Sequence, residues 1–178
     1  MNLLQIVALV VGVTALAAAI GLSILLLGLQ RVFASAPTLW DSNDRDIKDT
    51  SLSVVIPAFD EEQNIEGCLT HVLMSERPCS RWDVIVVDDQ SSDNTVKIAE
   101  QAIVTVAGAD QPGATVLQAG PRPKGERWVG KNWGCCQAME QVNSEWVLFI
   151  DADVTLAPDA IRRALHQSIN ENADLFSL

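Results

Sequence analysis

Two aspartates separated by one residue follow an apolar run near the end of this 178-residue sequence. In the segment EWVLFIDADVT, Asp151 and Asp153 lie at the tip of a predicted buried strand. Two carboxylates this close repel each other unless a positive charge lies between them. Mg²⁺ or Mn²⁺ prefers oxygen ligands and completes its shell with water and phosphate oxygens, so two carboxylates are a sufficient protein contribution. The pattern therefore favours a divalent metal site over a helix-capping role.

A second acidic pair, Asp88 and Asp89, ends the apolar run VIVV. One interpretation is a solvated turn whose carboxylates only shape the loop. The other is a binding site, because a carboxylate at a strand end can accept hydrogen bonds from a ribose or from the edge of a base. The residues alone leave both interpretations open. For Ser92 and Asp93, which follow, the sequence favours capping of the next helix through its first backbone N–H groups.

Four basic residues fall within a short segment of a chain whose formal net charge is −11: Arg122, Lys124, Arg127 and Lys131. A charge run of this kind is usually a solvated face, but here it leads into a helix predicted to begin near Asn132. Lys131 would then lie at the positive end of that helix, where anions bind, and a diphosphate is the expected anion. Trp128 and Trp133 are expected to be packing residues more than ligand contacts. The net negative charge argues against nucleic acid as a partner.

Apolar runs of strand length alternate with stretches of helical period from Ser51 onward. The predicted strands are SLSVVIPAF, where Pro57 is expected to stop the run, DVIVVDD, the weaker ATVLQAG, and EWVLFIDAD. Helical spacing is shown by Ile65, Leu69, Val72 and Leu73, by Val96, Ala99 and Ile103, and by Ile161, Ala164, Leu165 and Ile169. The alternation predicts an α/β fold with a mostly parallel sheet and flanking helices. Ligands bind at the carboxyl ends of such strands, where the acidic pairs and the basic segment fall.

The amino-terminal segment from Leu3 to Leu29 is almost wholly apolar. About 27 residues at roughly 1.5 Å each give a helix of about 40 Å, which is enough to cross a hydrocarbon core of about 30 Å with some tilt. A cleaved signal peptide would need a basic start and a shorter apolar stretch, and there is no Lys or Arg before Arg31. The sequence therefore predicts one transmembrane anchor over residues 1–30.

The first positive side chains, Arg31, Arg45 and Lys48, all follow the predicted span. By the positive-inside rule the rest of the chain should face the cytoplasm. Residues 31–50 are polar and without periodicity, so they are expected to be a juxtamembrane linker, with the α/β domain in residues 51–178.

Three motifs, in this order and spacing, resemble the amino-terminal half of inverting glycosyltransferases of family 2: SVVIPAFDEEQNI, VIVVDDQSSDNT and VLFIDADVTLAPDAI. The resemblance covers Leu52 to Leu178 and implies the Rossmann-like GT-A fold. The segment GERWVGKNWG is also similar to a Trp-x-Gly-Lys-x-Trp stretch in membrane-associated members linked to hopanoid or carotenoid pathways. One departure is Asp60, which stands where the family commonly has Asn.

The resemblance implies a nucleotide-sugar donor and transfer of its sugar to an acceptor hydroxyl. Pro57, Ala58 and Glu61 map onto the contact with the base, and Asp89, with Asp88 beside it, onto the contact with base and ribose. The Asp-x-Asp motif maps onto Asp151 and Asp153, with Asp153 expected on the metal that bridges the diphosphate. An anchor in the membrane makes a lipid acceptor plausible. In the family the general base lies further along, so residues 51–178 are expected to be the donor-binding half, with the fold incomplete at its carboxyl end.

Two other classes fit single motifs. VLFIDADVT also resembles the nucleophile motif of haloacid-dehalogenase-type phosphatases, with Asp151 phosphorylated and Asp153 as acid, but few residues follow it for the remaining catalytic loops. VIVVDDQ resembles the acidic pair of a phosphorelay receiver domain, whose phospho-acceptor should come sooner than Asp151. Binding of a nucleotide sugar would count against both.

Overall fold

The computed structural model describes residues 2–34, 39, 49–108, 111–125 and 131–177. It contains two compact units, the second of which is the domain Leu39–Ser177. The first unit is built of helix α1, Leu3–Ala34. Residues Leu3–Arg31 of this helix are long and apolar enough to cross a membrane, with a hydropathy of 2.5. The helix continues beyond the predicted end of the anchor at residue 30, and most of the predicted linker lies outside the described residues.

The domain alternates strands and helices as the sequence predicts. Its elements are β1 Ser51–Ala58, α2 Ile65–Leu73, β2 Arg81–Asp88, α3 Thr95–Val106, β3 Gly113–Gln118, α4 Asn132–Met139, β4 Trp146–Phe149 and α5 Ala160–Asn170. The described strands form one sheet in the order β3-β2-β1-β4, and every pairing in it is parallel. The predicted α/β fold with a parallel sheet is therefore confirmed.

Strand β1 is buried on both faces, and its side chains alternate between two clusters. Val54 and Ile56 pack in the larger cluster, together with the apolar faces of α2, α3 and α5. Val55 lies in the smaller cluster on the opposite face, which includes Ala138 of α4. This alternation follows from the two-residue period of a strand, and burial on both faces explains why the sequence of β1 is an almost continuous apolar run.

The strand order reverses beside β1, which has β2 on one side and β4 on the other. The loops after β1 and β4 therefore flank the crevice in which doubly wound sheets bind ligands. Pro57 was expected to stop the first strand, but β1 continues to Ala58 and Pro57 pairs with Val87. Strand β1 pairs with β4 only from Leu52 to Val55. Pro57 lies beyond this pairing, which therefore does not need the N–H that proline lacks.

Cys68 of α2 links the core to the loop after β4. Its side chain is 2% exposed, and its Sγ donates a hydrogen bond to the backbone oxygen of Asp151 at 3.6 Å. Burial, with the negative charge of Asp153 adding to it, raises the pKa of Cys68 to about 11. Since the thiolate is the reactive form, roughly a thousandth of this thiol is ionised at about pH 8.

We therefore expect iodoacetamide at about pH 8 to alkylate the exposed Cys136 and to spare Cys68 in the folded chain. Mass spectrometry of the peptides measures both sites in one sample. Denaturant should abolish the difference, because unfolding exposes Cys68 and returns its pKa toward the ordinary value. Equal labelling of the two cysteines without denaturant would contradict the packing of α2 against the loop after β4.

Candidate functional site

The two members of the first acidic pair have different environments. Asp88, the last residue of β2, accepts hydrogen bonds on both carboxylate oxygens from the backbone N–H of Ser91, each at 3.3 Å. Asp89 donates its backbone N–H to the oxygen of Ala58 at 2.9 Å, which ties the end of β2 to the end of β1. Of the two interpretations left open by the sequence, Asp88 therefore shows the turn-shaping contacts, and Asp89 is the carboxylate with capacity for a ligand.

Asp89 is a buried carboxylate whose two oxygens have different environments. Its side chain is 6% exposed, and Oδ2 forms an ion pair with the guanidinium of Arg122, in the segment after β3. Oδ1 is buried and has no hydrogen-bond partner in the described part of the chain. Buried polar atoms are nearly always hydrogen-bonded, so this oxygen indicates a place for a donor from a ligand or water. Arg122 belongs to the basic segment predicted from the sequence, but the ion pair of Arg122 with Asp89 was not predicted.

Asp151 and Asp153 lie on the short turn after β4. Ala152 between them is 0% exposed, whereas both aspartates are exposed, so the two carboxylates point to the solvent side of the turn. The backbone holds this turn in place, because Ile150 donates its N–H to the oxygen of Val55 at 3.0 Å. The turn thus presents both carboxylates from the crevice side of the sheet, next to the end of β1.

Lys131 brings the basic segment to the Asp-x-Asp turn. It directly precedes α4, and its Nζ is 2.7 Å from Oδ1 of Asp151. The hydrogen bond to Asp151 raises the pKa of Lys131, and the charges of Asp151, Asp153 and Glu61 add to it against the effect of burial. Because the two side chains are 46% and 59% exposed, the pair is worth only about 0–1 kcal/mol, so a competing anion or cation can replace either partner.

The donor set of the Asp-x-Asp turn fits a hard divalent ion. Two carboxylates face the solvent from one turn, and a cationic amine already lies against one of them, so the position attracts positive charge. Among the described residues there is no group of three or more His, Cys, Asp or Glu side chains that could hold a metal ion. An ion at this turn would therefore need other oxygens, from water and phosphate, which is the usual shell of Mg²⁺.

The end of β1 contributes backbone and one acidic side chain. Pro57 and Ala58 are buried, so a ligand would meet them mainly through the main chain. Glu61 is half-buried; its backbone N–H donates to the hydroxyl of Thr95 at 2.8 Å, and Oε2 accepts from Asn64 at 2.8 Å. The structure therefore brings the candidate residues that follow β1, β2 and β4, together with Arg122 and Lys131, to one edge of the sheet.

The two tryptophans interleaved with the basic segment are Trp128 and Trp133. Trp133 donates its indole N–H to the oxygen of Gly120 at 2.6 Å and packs against the smaller core cluster, as expected for a packing residue. Arg127 and Trp128, which were part of the predicted basic segment, lie outside the described residues.

A parallel α/β sheet with acidic strand ends and an Asp-x-Asp turn is the arrangement that the family resemblance implies. The model of the family described as "Glycosyl transferase family 2" matches residues 53–177, and the chain belongs to this family. The resemblance to glycosyltransferases of family 2 is therefore confirmed, and it displaces the phosphatase and receiver-domain alternatives.

Relatives and solved structures agree with this assignment. The 4,4'-diaponeurosporenoate glycosyltransferase of Staphylococcus aureus strain bovine RF122 / ET3-1 is 33% identical over 118 residues, which is 66% of this chain and 28% of the relative. The enzyme of the same name from strain USA300 is 32% identical over the same length. The chain thus spans little more than a quarter of the length of these relatives, and they agree with the predicted likeness to the carotenoid-linked branch.

Two solved structures share the fold. The mannosyltransferase PcManGT from Pyrobaculum calidifontis, in complex with GDP-Man and Mn²⁺, has a TM-score of 0.60 at 23% identity and covers 88% of this chain and 42% of its own. S. aureus TarS 1-349, in complex with UDP, has a TM-score of 0.52 at 25% identity and covers 68% of this chain and 33% of its own. The predicted GT-A fold is confirmed.

The pair of Arg122 and Asp89 gives a test that needs no ligand. Replacing Arg122 by Ala leaves a carboxylate that is 6% exposed without its cation, so we expect a loss of about 1–3 kcal/mol in the free energy of unfolding. In the double variant Arg122→Ala with Asp89→Asn the loss should be smaller than in Arg122→Ala alone, because the unpaired charge is gone. Urea unfolding measures both. Additive losses in the double variant would show that the two side chains do not interact.

Proposed function

We propose that residues 51–178 bind the nucleotide-sugar donor of a glycosyl transfer, and that the whole protein transfers the sugar to an acceptor hydroxyl. The observation that carries this proposal is the buried Oδ1 of Asp89, for which the described residues supply no hydrogen-bond donor, at the edge of the sheet where α/β proteins bind ligands. A ring N–H of a base or a hydroxyl of a ribose would supply that donor. The ion pair of Arg122 with the other oxygen orients the carboxylate so that Oδ1 is available as an acceptor.

The diphosphate of the donor would lie between Lys131 and the Asp-x-Asp turn. Lys131 directly precedes α4, so its amine and the first backbone N–H groups of that helix both favour an anion. The exposed pair of Lys131 with Asp151 is weak enough for phosphate oxygens to replace Asp151 as the partner of the amine. As the sugar leaves, the charge of Lys131 would stabilise the negative charge that builds on the departing diphosphate.

Asp153 and Asp151 are the residues that would hold a divalent ion, Mg²⁺ or Mn²⁺. When bound, such an ion supplies further positive charge to the diphosphate. Pro57, Ala58 and Glu61 would border the base from the end of β1, and Asp88 would act by holding the turn on which Asp89 lies.

Helix α1 and the acceptor belong to the same proposal. We propose that α1 anchors the protein in a membrane with the domain in the cytoplasm, where nucleotide sugars are available, and that the acceptor is a lipid. Support comes from the apolar length of Leu3–Arg31 and from the diaponeurosporenoate in the name of the relatives. An anchored enzyme reaches an acceptor dissolved in the bilayer without first extracting it into water.

Titration calorimetry with UDP, the nucleotide bound by TarS, tests the donor site. We expect the chain, purified in detergent, to bind UDP more tightly with Mn²⁺ than without it. Asp153→Asn should abolish the gain from Mn²⁺, because the metal loses a charged ligand. Asp89→Ala should weaken UDP binding about tenfold or more, with and without Mn²⁺, because the base or ribose loses its acceptor.

Asp174→Asn is the matched control, since Asp174 is exposed and borders a cavity with Glu145 and Trp146 at the opposite ends of the strands. It should bind as the wild type does. UDP binding that is independent of Mn²⁺ and survives Asp153→Asn would contradict the role proposed for the Asp-x-Asp turn.

Carbonate extraction of membranes from expressing cells tests the anchor. The full chain should stay in the pellet, and a variant lacking residues 3–31 should move to the supernatant, because those residues supply the apolar surface that holds it. Protease treatment of sealed membrane vesicles then reports on which side the domain lies. Release of the full chain by carbonate would contradict the anchor.

A further inference from the structure

Two loops at the edge of the sheet formed by the carboxyl ends of the strands are hydrogen-bonded to each other. We define the β1 loop as residues 59–64 and the β2 loop as residues 89–94. Three consecutive backbone N–H groups of the β1 loop are donated to the β2 loop or to the first residue of α3: Asp60 to Ser91 Oγ at 2.9 Å, Glu61 to Thr95 Oγ1 at 2.8 Å, and Glu62 to Asp93 Oδ2 at 3.1 Å. In the opposite direction, Ser92 donates its N–H to Asp60 Oδ1 at 2.7 Å and Asn94 donates to Glu62 Oε2 at 3.2 Å.

Asp60 is the centre of the first half of this network. Its φ of 52° lies in the left-handed region, which Asp and Asn enter more readily than other side-chain-bearing residues. One oxygen, Oδ1, accepts both the backbone N–H and, at 3.2 Å, the hydroxyl of Ser92. The position therefore needs a short side chain that tolerates positive φ and carries an acceptor oxygen. Asn meets the same requirements, so Asp60 can occupy a position at which the family commonly has Asn.

Asp93 is the centre of the second half. Its carboxylate accepts the backbone N–H of Thr95 at 2.9 Å, the hydroxyl of Thr95, and the backbone N–H of Glu62. The same side chain thus accepts the first backbone N–H of α3 and holds the β1 loop. Burial acts to raise the pKa of Asp93, but the hydrogen bonds from Thr95 and Glu62 lower it below the ordinary value. An amide could not replace this carboxylate fully, because its NH₂ group would face a backbone N–H.

The two loops carry residues that we assign to the donor base, Glu61 on the β1 loop and Asp89 on the β2 loop. We propose that Asp60 and Asp93 are positioning residues for the nucleotide base: by bonding the loops together they fix Glu61 and Asp89 relative to each other before the ligand arrives. Affinity gains from such preorganisation, because neither loop loses freedom on binding. This inference rests on the proposed function, since it assumes that the base binds here.

The experiment compares Asp60→Ala with Asp60→Asn, and Asp93→Ala with Asp93→Asn. Asp60→Asn keeps the acceptor oxygen and the tolerance of positive φ, so it should bind UDP within about twofold of the wild type, whereas Asp60→Ala should bind about tenfold more weakly. At position 93 the amide should fail to rescue, because it keeps the bonds from Thr95 and loses the one from Glu62. If the loss of negative charge alone weakened binding, Asp60→Asn and Asp93→Asn would show the same loss of UDP affinity.

The ligands separate positioning from general loss of structure. In Asp60→Ala and Asp93→Ala, the affinities for uridine and for UDP should fall by the same factor, and the gain of UDP affinity from Mn²⁺ should stay at the wild-type value. Hydrogen exchange in the ligand-free chain should speed up in peptides that cover the β1 and β2 loops and stay unchanged in β1 and β2 themselves. This exchange measurement also shows that the variants are folded.

Each outcome has a separate meaning. If the wild type binds neither UDP nor uridine, the proposed function is wrong and the positioning role falls with it. If the wild type binds UDP and Asp60→Ala and Asp93→Ala bind it equally well, only the positioning role is overturned. The same holds if exchange in the loops is unchanged in both Ala variants, or if their loss of affinity appears only as a reduced gain from Mn²⁺.

Discussion

Burial of β1 and β2 on both faces is the constraint on which the rest of the domain depends. A strand covered on both sides is mostly apolar between its ends, and parallel pairing brings the carboxyl ends to one edge of the sheet. In β1 the residues from Leu52 to Ala58 are all buried, so the first accessible polar groups are those of the following loop. Packing therefore places the acidic residues that follow β1, β2 and β4 at that edge before any ligand is considered.

Charge at that edge is balanced by pairs between separate elements. Asp89 at the end of β2 is paired with Arg122, and Asp151 after β4 is paired with Lys131. The first pair has a buried acid and should be stable in the absence of a ligand, whereas the second is exposed and easily exchanged. This difference in burial agrees with the roles proposed for the two pairs, a fixed acceptor for the base at Asp89 and a region around Lys131 and Asp151 that rearranges around a diphosphate.

The order of the elements could be predicted because short apolar runs of strand length alternate with longer stretches of helical period. The ends of the strands were harder to predict, as Pro57 shows. Whether the N–H that Pro57 lacks would end β1 depends on where the pairing of β1 with β4 stops. The residues of the candidate site could be marked from their types, but their partners could not. Arg122 with Asp89 and Asp60 with Ser92 join residues about 30 positions apart in the chain, and such contacts depend on loop conformations that period and propensity do not determine.

Two residues of the joined loops, Asp60 and Gln90, have positive φ without being glycine, at 52° and 67°. Such a conformation costs about 1–2 kcal/mol per residue in a free chain, so surrounding contacts must hold it. At Asp60 the holding contacts are the hydrogen bonds with Ser91 and Ser92. Gln90 directly follows Asp89, whose N–H is bonded to Ala58 and whose carboxylate is bonded to Arg122. Both strained residues thus lie where each loop is bound to another element, and the strain is located at the edge of the sheet that the acidic residues share.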